Sequence, residues 1–290
     1  MNITYQHPDV ECTDFTLYNS NNDAITGNVR FPKQMQNNSA LPVVVVLHGF
    51  KAFKDWGFFG YLCAELALRG AIVVNFNYSL NGFDEHSDGS VTNTEKFARN
   101  TITQELLDSE IVLTAITNKT ILPNHITWNN NIYALGHSRG AGLALLTAVR
   151  NQRISKAVLL APVSTYNRHT ARQQQQWRER GYFEVLNTRT NELLRQNVSY
   201  LNDIEQHAQE YSLTAAIASL TIPVRIIVGE QDMTTPLRES DQLIQHDTNT
   251  ITSRITIPKT GHTFGAVHPF AGTTEALETV ITETSLFFEL

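Results

Sequence analysis

The chain has 290 residues, 41% of them hydrophobic and 17% charged, and carries a formal charge of -6. That length is enough to bury a sizeable core, but an acidic chain lacks the cationic surface that neutralises phosphates, so nucleic acid is not an expected partner. Two cysteines are too few for a disulfide framework or a metal cluster, and no apolar run reaches the ~18 residues that span a bilayer.

The first residues lack the basic start and apolar run of a signal peptide, so the expected setting is cytoplasmic and off the membrane. Residues 12–18 are rich in strand formers, Asn19-Ser20-Asn21-Asn22-Asp23 is turn chemistry, and 24–31 resume as a strand before Pro32. This predicts an antiparallel hairpin at a sheet edge. A polar loop follows over 33–40. Leu41-Pro42-Val43-Val44-Val45-Val46-Leu47 is then continuously apolar. Such a run is buried on both faces, as in a parallel sheet covered by helices.

Similar runs recur at 71–76, 132–135, 157–160, 224–228 and 254–257, with helical periods between them at 58–69, 101–116, 140–149, 237–245 and 273–288. The alternation predicts a mostly parallel α/β sheet with right-handed crossovers. The polar loop 81–94 lies within reach of any pocket at the strand ends. Between 162 and 222 no strand is predicted, and 184–194 and 199–218 read as helices. A connection this long is structured or functional, so residues 165–219 are expected to form a helical cap inserted between two strands. Cys12 and Cys63 are expected as buried free thiols.

Gly136-His137-Ser138-Arg139-Gly140 carries the strongest chemical signal, because a strand runs into it and a small-residue helix leaves it. A G-x-S-x-G turn of this kind holds a serine in a sharp strand-to-helix bend with its Oγ exposed, and the glycines prevent Cβ clashes. Ser138 is the candidate nucleophile. His48-Gly49-Phe50 follows the first long strand, where backbone amides are well placed for an oxyanion; those of Phe50 and Arg139 are the candidates. Asp232 follows the 224–228 strand and is the candidate acid, with Glu230 as the alternative. His262, in Gly261-His262-Thr263-Phe264 after the last strand, is the candidate base, with His268 as the alternative.

The remaining histidines His7, His86, His125, His169, His207 and His246 are scattered and read as surface or packing residues. No pair has zinc-site spacing, and no Gly-rich phosphate or dinucleotide loop is present, so neither metal nor cofactor is expected.

On these motifs the chain resembles the α/β-hydrolase superfamily over nearly its whole length. Within that superfamily it is similar to small bacterial esterases and to dienelactone-hydrolase-like and prolyl-oligopeptidase-like enzymes. His48-Gly49-Phe50 followed by Lys54-Asp55 is similar to their oxyanion loop, Asp232 falls in a G-x-x-D-x-x-x-P pattern, and the order Ser138, Asp232, His262 is the order of that architecture.

The resemblance implies an eight-stranded sheet with an edge hairpin, and a serine hydrolase acting on a small-molecule ester. Dienelactone hydrolases proper use a cysteine where this chain has Ser138, which favours ester over lactone cleavage. The 165–219 segment resembles the helical inserts of cinnamoyl and feruloyl esterases, and Trp177, Tyr182, Phe183 and Tyr200 are its candidate pocket-wall aromatics. A peptidase or thioesterase with the same triad, and a non-catalytic member of the fold, are the alternatives.

Overall fold

The Asn19 side chain accepts hydrogen bonds from the backbone amides of Asn21 and Asp23, both at 2.9 Å, and so closes the first turn. The turn joins β1 (Val10–Tyr18) to β2 (Ala24–Pro32), the expected antiparallel hairpin. This is a computed structural model that describes residues 4–34, 40–83, 89–188 and 190–290. His86, with parts of the 33–40 and 81–94 loops, lies outside the described residues.

The chain continues through β3 (Leu41–Leu47), α1 (Phe59–Leu68), β4 (Ile72–Phe76), α2 (Thr94–Arg99), α3 (Ile102–Thr117), β5 (Trp128–His137), α4 (Arg139–Arg150) and β6 (Ile154–Leu160). An excursion follows: α5 (Ala171–Arg180), β7 (Tyr182–Asn187), β8 (Glu192–Asn197), α6 (Val198–Gln206) and α7 (Leu213–Ser219). Then come β9 (Val224–Gly229), α8 (Leu237–Gln245), β10 (Thr252–Ile257) and α9 (Glu275–Phe288).

Eight strands form one sheet in the order β1-β2-β4-β3-β5-β6-β9-β10. The six from β4 to β10 run parallel, and β1 and β2 are the antiparallel edge. Side chains alternate across β3 as strand geometry requires. Val43, Val45 and Leu47 enter the core under α3 and α4, whereas Val44 and Val46 enter the core under α1 and α9. This two-sided burial is the physical source of the unbroken valine run. Chain order reverses at β3, which lies between β4 and β5, and that reversal opens a crevice at the carboxyl ends of these strands.

The excursion differs from its expectation. The expected 184–194 helix is not found: residues 184–187 and 192–194 lie in the strands of the β7–β8 hairpin, with Leu186 opposite Leu193. Leu194 is fully buried among Phe53, Phe83, Val91 and Phe97, so tertiary packing selects the strand. The 199–218 helix is broken between α6 and α7, where Tyr211 turns inward and its hydroxyl meets Thr103 Oγ1 at 2.6 Å. Cys63 is buried, but Cys12 is only half-buried because β1 is an edge strand. Among the described residues no helix is long and apolar enough to cross a membrane.

Candidate active site

Ser138 links β5 to α4 in a conformation with φ 58° and ψ -122°. A non-glycine residue held there costs about 1–3 kcal/mol and persists only where its surroundings enforce it. Its amide donates to the Leu160 carbonyl at 2.9 Å. The flanking glycines permit the bend: a Cβ on Gly136 would lie 2.1 Å from the Gly140 carbonyl oxygen, and one on Gly140 would lie 2.3 Å from that of Leu47. The serine therefore caps the amino end of α4, where the helix dipole favours developing negative charge.

Asp232 and His262 reach the same rim from the ends of β9 and β10. His262 Nδ1 and Asp232 Oδ2 are 2.7 Å apart. The other carboxylate oxygen accepts the amides of Thr234 and Thr235 at 2.8 and 2.9 Å. Burial alone would raise the Asp232 carboxyl, but the bonds from His262 and Thr235 outweigh it and hold the group below its ordinary value. An ionised Asp232 accepts a hydrogen bond from the Nδ1–H of His262, which leaves Nε2 as the basic nitrogen. The Thr235 hydroxyl lies within reach of Asp232 Oδ2, His262 Nδ1 and the Ala161 carbonyl, at 2.8, 3.2 and 3.0 Å. Its proximity to both partners was not foreseen from sequence.

Ser138, His262, Phe50 and Arg139 all line one cavity of about 550 Å³. Neither the Phe50 nor the Arg139 amide donates to a protein acceptor among the described residues. The loop carrying Phe50 is fixed by buried polar groups. Lys54 donates its amide to Asn77 Oδ1 at 2.7 Å, Asn75 donates to the Lys54 carbonyl at 2.8 Å, and Arg30 donates to Asn75 Oδ1 at 2.6 Å. Lys54 also pairs with Asp55.

The two alternatives are engaged elsewhere. Glu230 accepts the Lys259 amide at 3.1 Å, and His268 Nδ1 accepts the Gly57 amide at 3.0 Å while its ring stacks on Trp56. Of the four aromatics expected to wall the pocket, Tyr200 does so. Trp177 packs inside the insert instead, against Phe183 and Tyr200, and Tyr182 lies beneath the Arg195 guanidinium. His169, expected to be a surface or packing residue, lines the cavity while its ring packs on Trp177 and Phe183. Among the described residues no cluster of three or more His, Cys, Asp or Glu side chains is placed to hold a metal ion.

His137 is a site residue that the sequence reading did not single out. Its Nε2–H donates to the His262 carbonyl at 2.9 Å, its ring centre lies 4.7 Å from that of His262, and Phe58 and Phe59 close around it. Burial, reinforced by His262, pushes its pKa down to about 3, so it stays neutral. His137→Phe keeps the ring and removes the donor. We expect kcat to fall about tenfold as the loop carrying His262 loosens, since small misplacements of reacting groups are costly. Steady-state kinetics on p-nitrophenyl acetate checks this, and an unchanged kcat would mean that the loop is held elsewhere.

His48 is buried too, against Tyr78, and burial lowers its pKa to about 4. In the unfolded chain both histidines titrate near ~6.5. The unfolded state therefore binds protons first as pH falls, and stability declines below about pH 6.5 at up to ~1.4 kcal/mol per unit for each ring. Thermal melts between pH 7 and 4.5 should show this decline. His137→Phe should make it shallower, and an identical slope in the variant would contradict the assignment.

A family model described as acetyl xylan esterase (AXE1) matches residues 1–239, a span that includes Ser138 and Asp232 and stops short of His262. No curated protein matches the chain. Among solved structures, a putative hydrolase from Agrobacterium vitis S4 is similar over 96% of this chain and 98% of its own, with TM-score 0.69 and 17% identity. Est1E from Butyrivibrio proteoclasticus matches over 93% and 97%, with TM-score 0.62 and 17% identity. A hyperthermophilic esterase from the archaeon Pyrobaculum calidifontis matches over 95% and 82%, with TM-score 0.66 and 16% identity. Identities this low speak for the fold, and the family model speaks for the kinship. The chain belongs to the acetyl xylan esterase (AXE1) family and is a carboxylic ester hydrolase of the α/β-hydrolase fold.

Proposed function

We propose that the chain cleaves esters through an acyl-enzyme on Ser138, with His262 as general base, Asp232 as its orienting acid, and the Phe50 and Arg139 amides as the oxyanion hole. One observation carries this reading: His262, held by Asp232 at 2.7 Å, lines the same cavity as a serine strained to φ 58° at a helix amino end. Ser138 Oγ attacks the acyl carbon while His262 Nε2 takes its proton. The tetrahedral oxyanion is stabilised by the two amides. Collapse breaks the ester C–O bond, and His262 returns the proton to the leaving alcohol. Water then attacks the acyl-enzyme, losing its proton to His262, and the carboxylic acid leaves as Ser138 recovers its hydrogen.

Residues 165–219 serve as a cap in this reading. They contribute Arg168, His169, Asn187, Gln196 and Tyr200 to a cavity whose volume suits a small-molecule ester. The mixture of amide and aromatic side chains fits an ester with both polar and apolar parts. The family description makes acetylated xylan a natural substrate to include, and methyl ferulate joins it because Est1E has been solved with ferulic acid bound.

The test is a panel of p-nitrophenyl esters from acetate to octanoate with methyl ferulate and acetylated xylan, alongside fluorophosphonate labelling. Turnover together with labelling that maps to Ser138 is expected. A folded protein that turns over none of these esters and resists the probe would overturn the proposal.

A further inference from the structure

The Phe50 amide lies in the loop after β3 and the Arg139 amide opens α4 after β5, so no single turn fixes their spacing. Donors of this kind work only when aimed at one point, and an error of about 1 Å costs about a hundredfold in rate. Something must therefore hold Phe50 and Arg139 at a set distance.

We propose that the Arg139 side chain is a positioning residue that clamps the two halves of the oxyanion hole together. This inference rests on the serine-esterase reading above. The guanidinium carbon of Arg139 lies 4.5 Å from the centre of the Phe50 ring, so the side chains of the two donor residues stack on each other. Each is braced from behind. Arg139 pairs with Glu105 of α3, which is 1% exposed and also accepts from Asn100 Nδ2 at 2.7 Å. Phe50 stacks on Phe97 of α2 at 5.5 Å. Tyr200 of α6 adds a ring 5.9 Å from the guanidinium. The loops themselves approach closely: a Cβ on Gly49 would lie 3.1 Å from that of Ser138.

The ion pair is a poor stabiliser. Arg139 Nε and Glu105 Oε2 are buried without hydrogen-bond partners among the described residues, and buried pairs of this sort are often matched by apolar substitutes. Arginine suits the clamp because its flat face stacks on an aromatic ring while its edge donates to a carboxylate; lysine cannot do both.

The experiment compares Arg139→Met, Arg139→Lys, Phe50→Leu and the Phe50→Leu/Arg139→Met pair with the wild type and Ser138→Ala. Turnover is measured on p-nitrophenyl acetate, and binding on an alkyl boronic acid that forms a tetrahedral adduct with the serine. Each single variant at 50 or 139 should lose about 10- to 100-fold in kcat with KM within about threefold. Boronate affinity should fall in step with kcat/KM. The pair should be no worse than the poorer single variant, because both changes open the same clamp.

A kcat within about twofold of wild type in folded variants, or losses that simply add, would overturn the proposal. If Arg139→Met strands Glu105 and fails to fold, Phe50→Leu decides, since it disturbs no charge and keeps the amide. A Ser138→Ala protein that stays active rejects the serine reading itself. An inactive Ser138→Ala beside an unimpaired Phe50→Leu rejects only the clamp.

Discussion

Ser138→Ala should lower kcat/KM on p-nitrophenyl acetate by about 10⁴–10⁶-fold while leaving the fold unchanged, as read by circular dichroism and thermal melting. The magnitude follows from losing the covalent route, with only binding and oxyanion stabilisation left to act on attack by water. His262→Ala should fall in the same range, and the double variant should be no slower than the worse single one, because nucleophile and base act as a unit. Ser138 is half-buried and faces the cavity, so losing its hydroxyl removes little packing that the core depends on. A residual rate within tenfold of wild type would show that another group carries the chemistry.

Asp232→Asn should cost about 10⁴-fold in kcat, and the hydrogen bonds show why a nearly isosteric change is so damaging. One oxygen of Asp232 accepts two backbone amides, from Thr234 and Thr235, so an asparagine must place its carbonyl there. Its NH₂ group then occupies the other position and points at His262 Nδ1. Facing a donor, the imidazole must carry its proton on Nε2, the nitrogen that has to accept from Ser138. The fold should survive, since both turn amides keep their acceptor. Kinetics across neutral pH with a thermal melt as control would test this, and an unchanged rate would remove Asp232 from the mechanism.

The parts of this site that were legible in the sequence are those where local chemistry and chain position coincide. Gly136 and Gly140 on either side of Ser138 announce the bend because a Cβ at either would clash with the backbone it brings together. Asp232 and His262 could be chosen because each follows a strand at the carboxyl edge of a parallel sheet. What stayed hidden depends on long-range contact. His137 hydrogen-bonds to a backbone carbonyl 125 positions away, and Glu105 meets Arg139 across 34. No local pattern marks either pairing. The β7–β8 hairpin was hidden for a related reason. Val185 is the only β-branched residue in its two strands, and the burial of Leu194 beneath α2 decides the conformation.

β6 and β9 are hydrogen-bonded neighbours, with Ala157 opposite Val224 and Leu160 opposite Ile227. A right-handed crossover between them needs only one helix, and α7 packed beside α4 already supplies it. The 165–212 stretch is therefore surplus to the topology, although it furnishes much of the cavity wall. Lengthening a surface excursion costs little, since closure entropy grows only logarithmically with length. Evolution, or a protein engineer, can thus exchange this stretch for another and retune which esters are accepted. The sheet register that places Ser138, Asp232 and His262 is inherited unchanged.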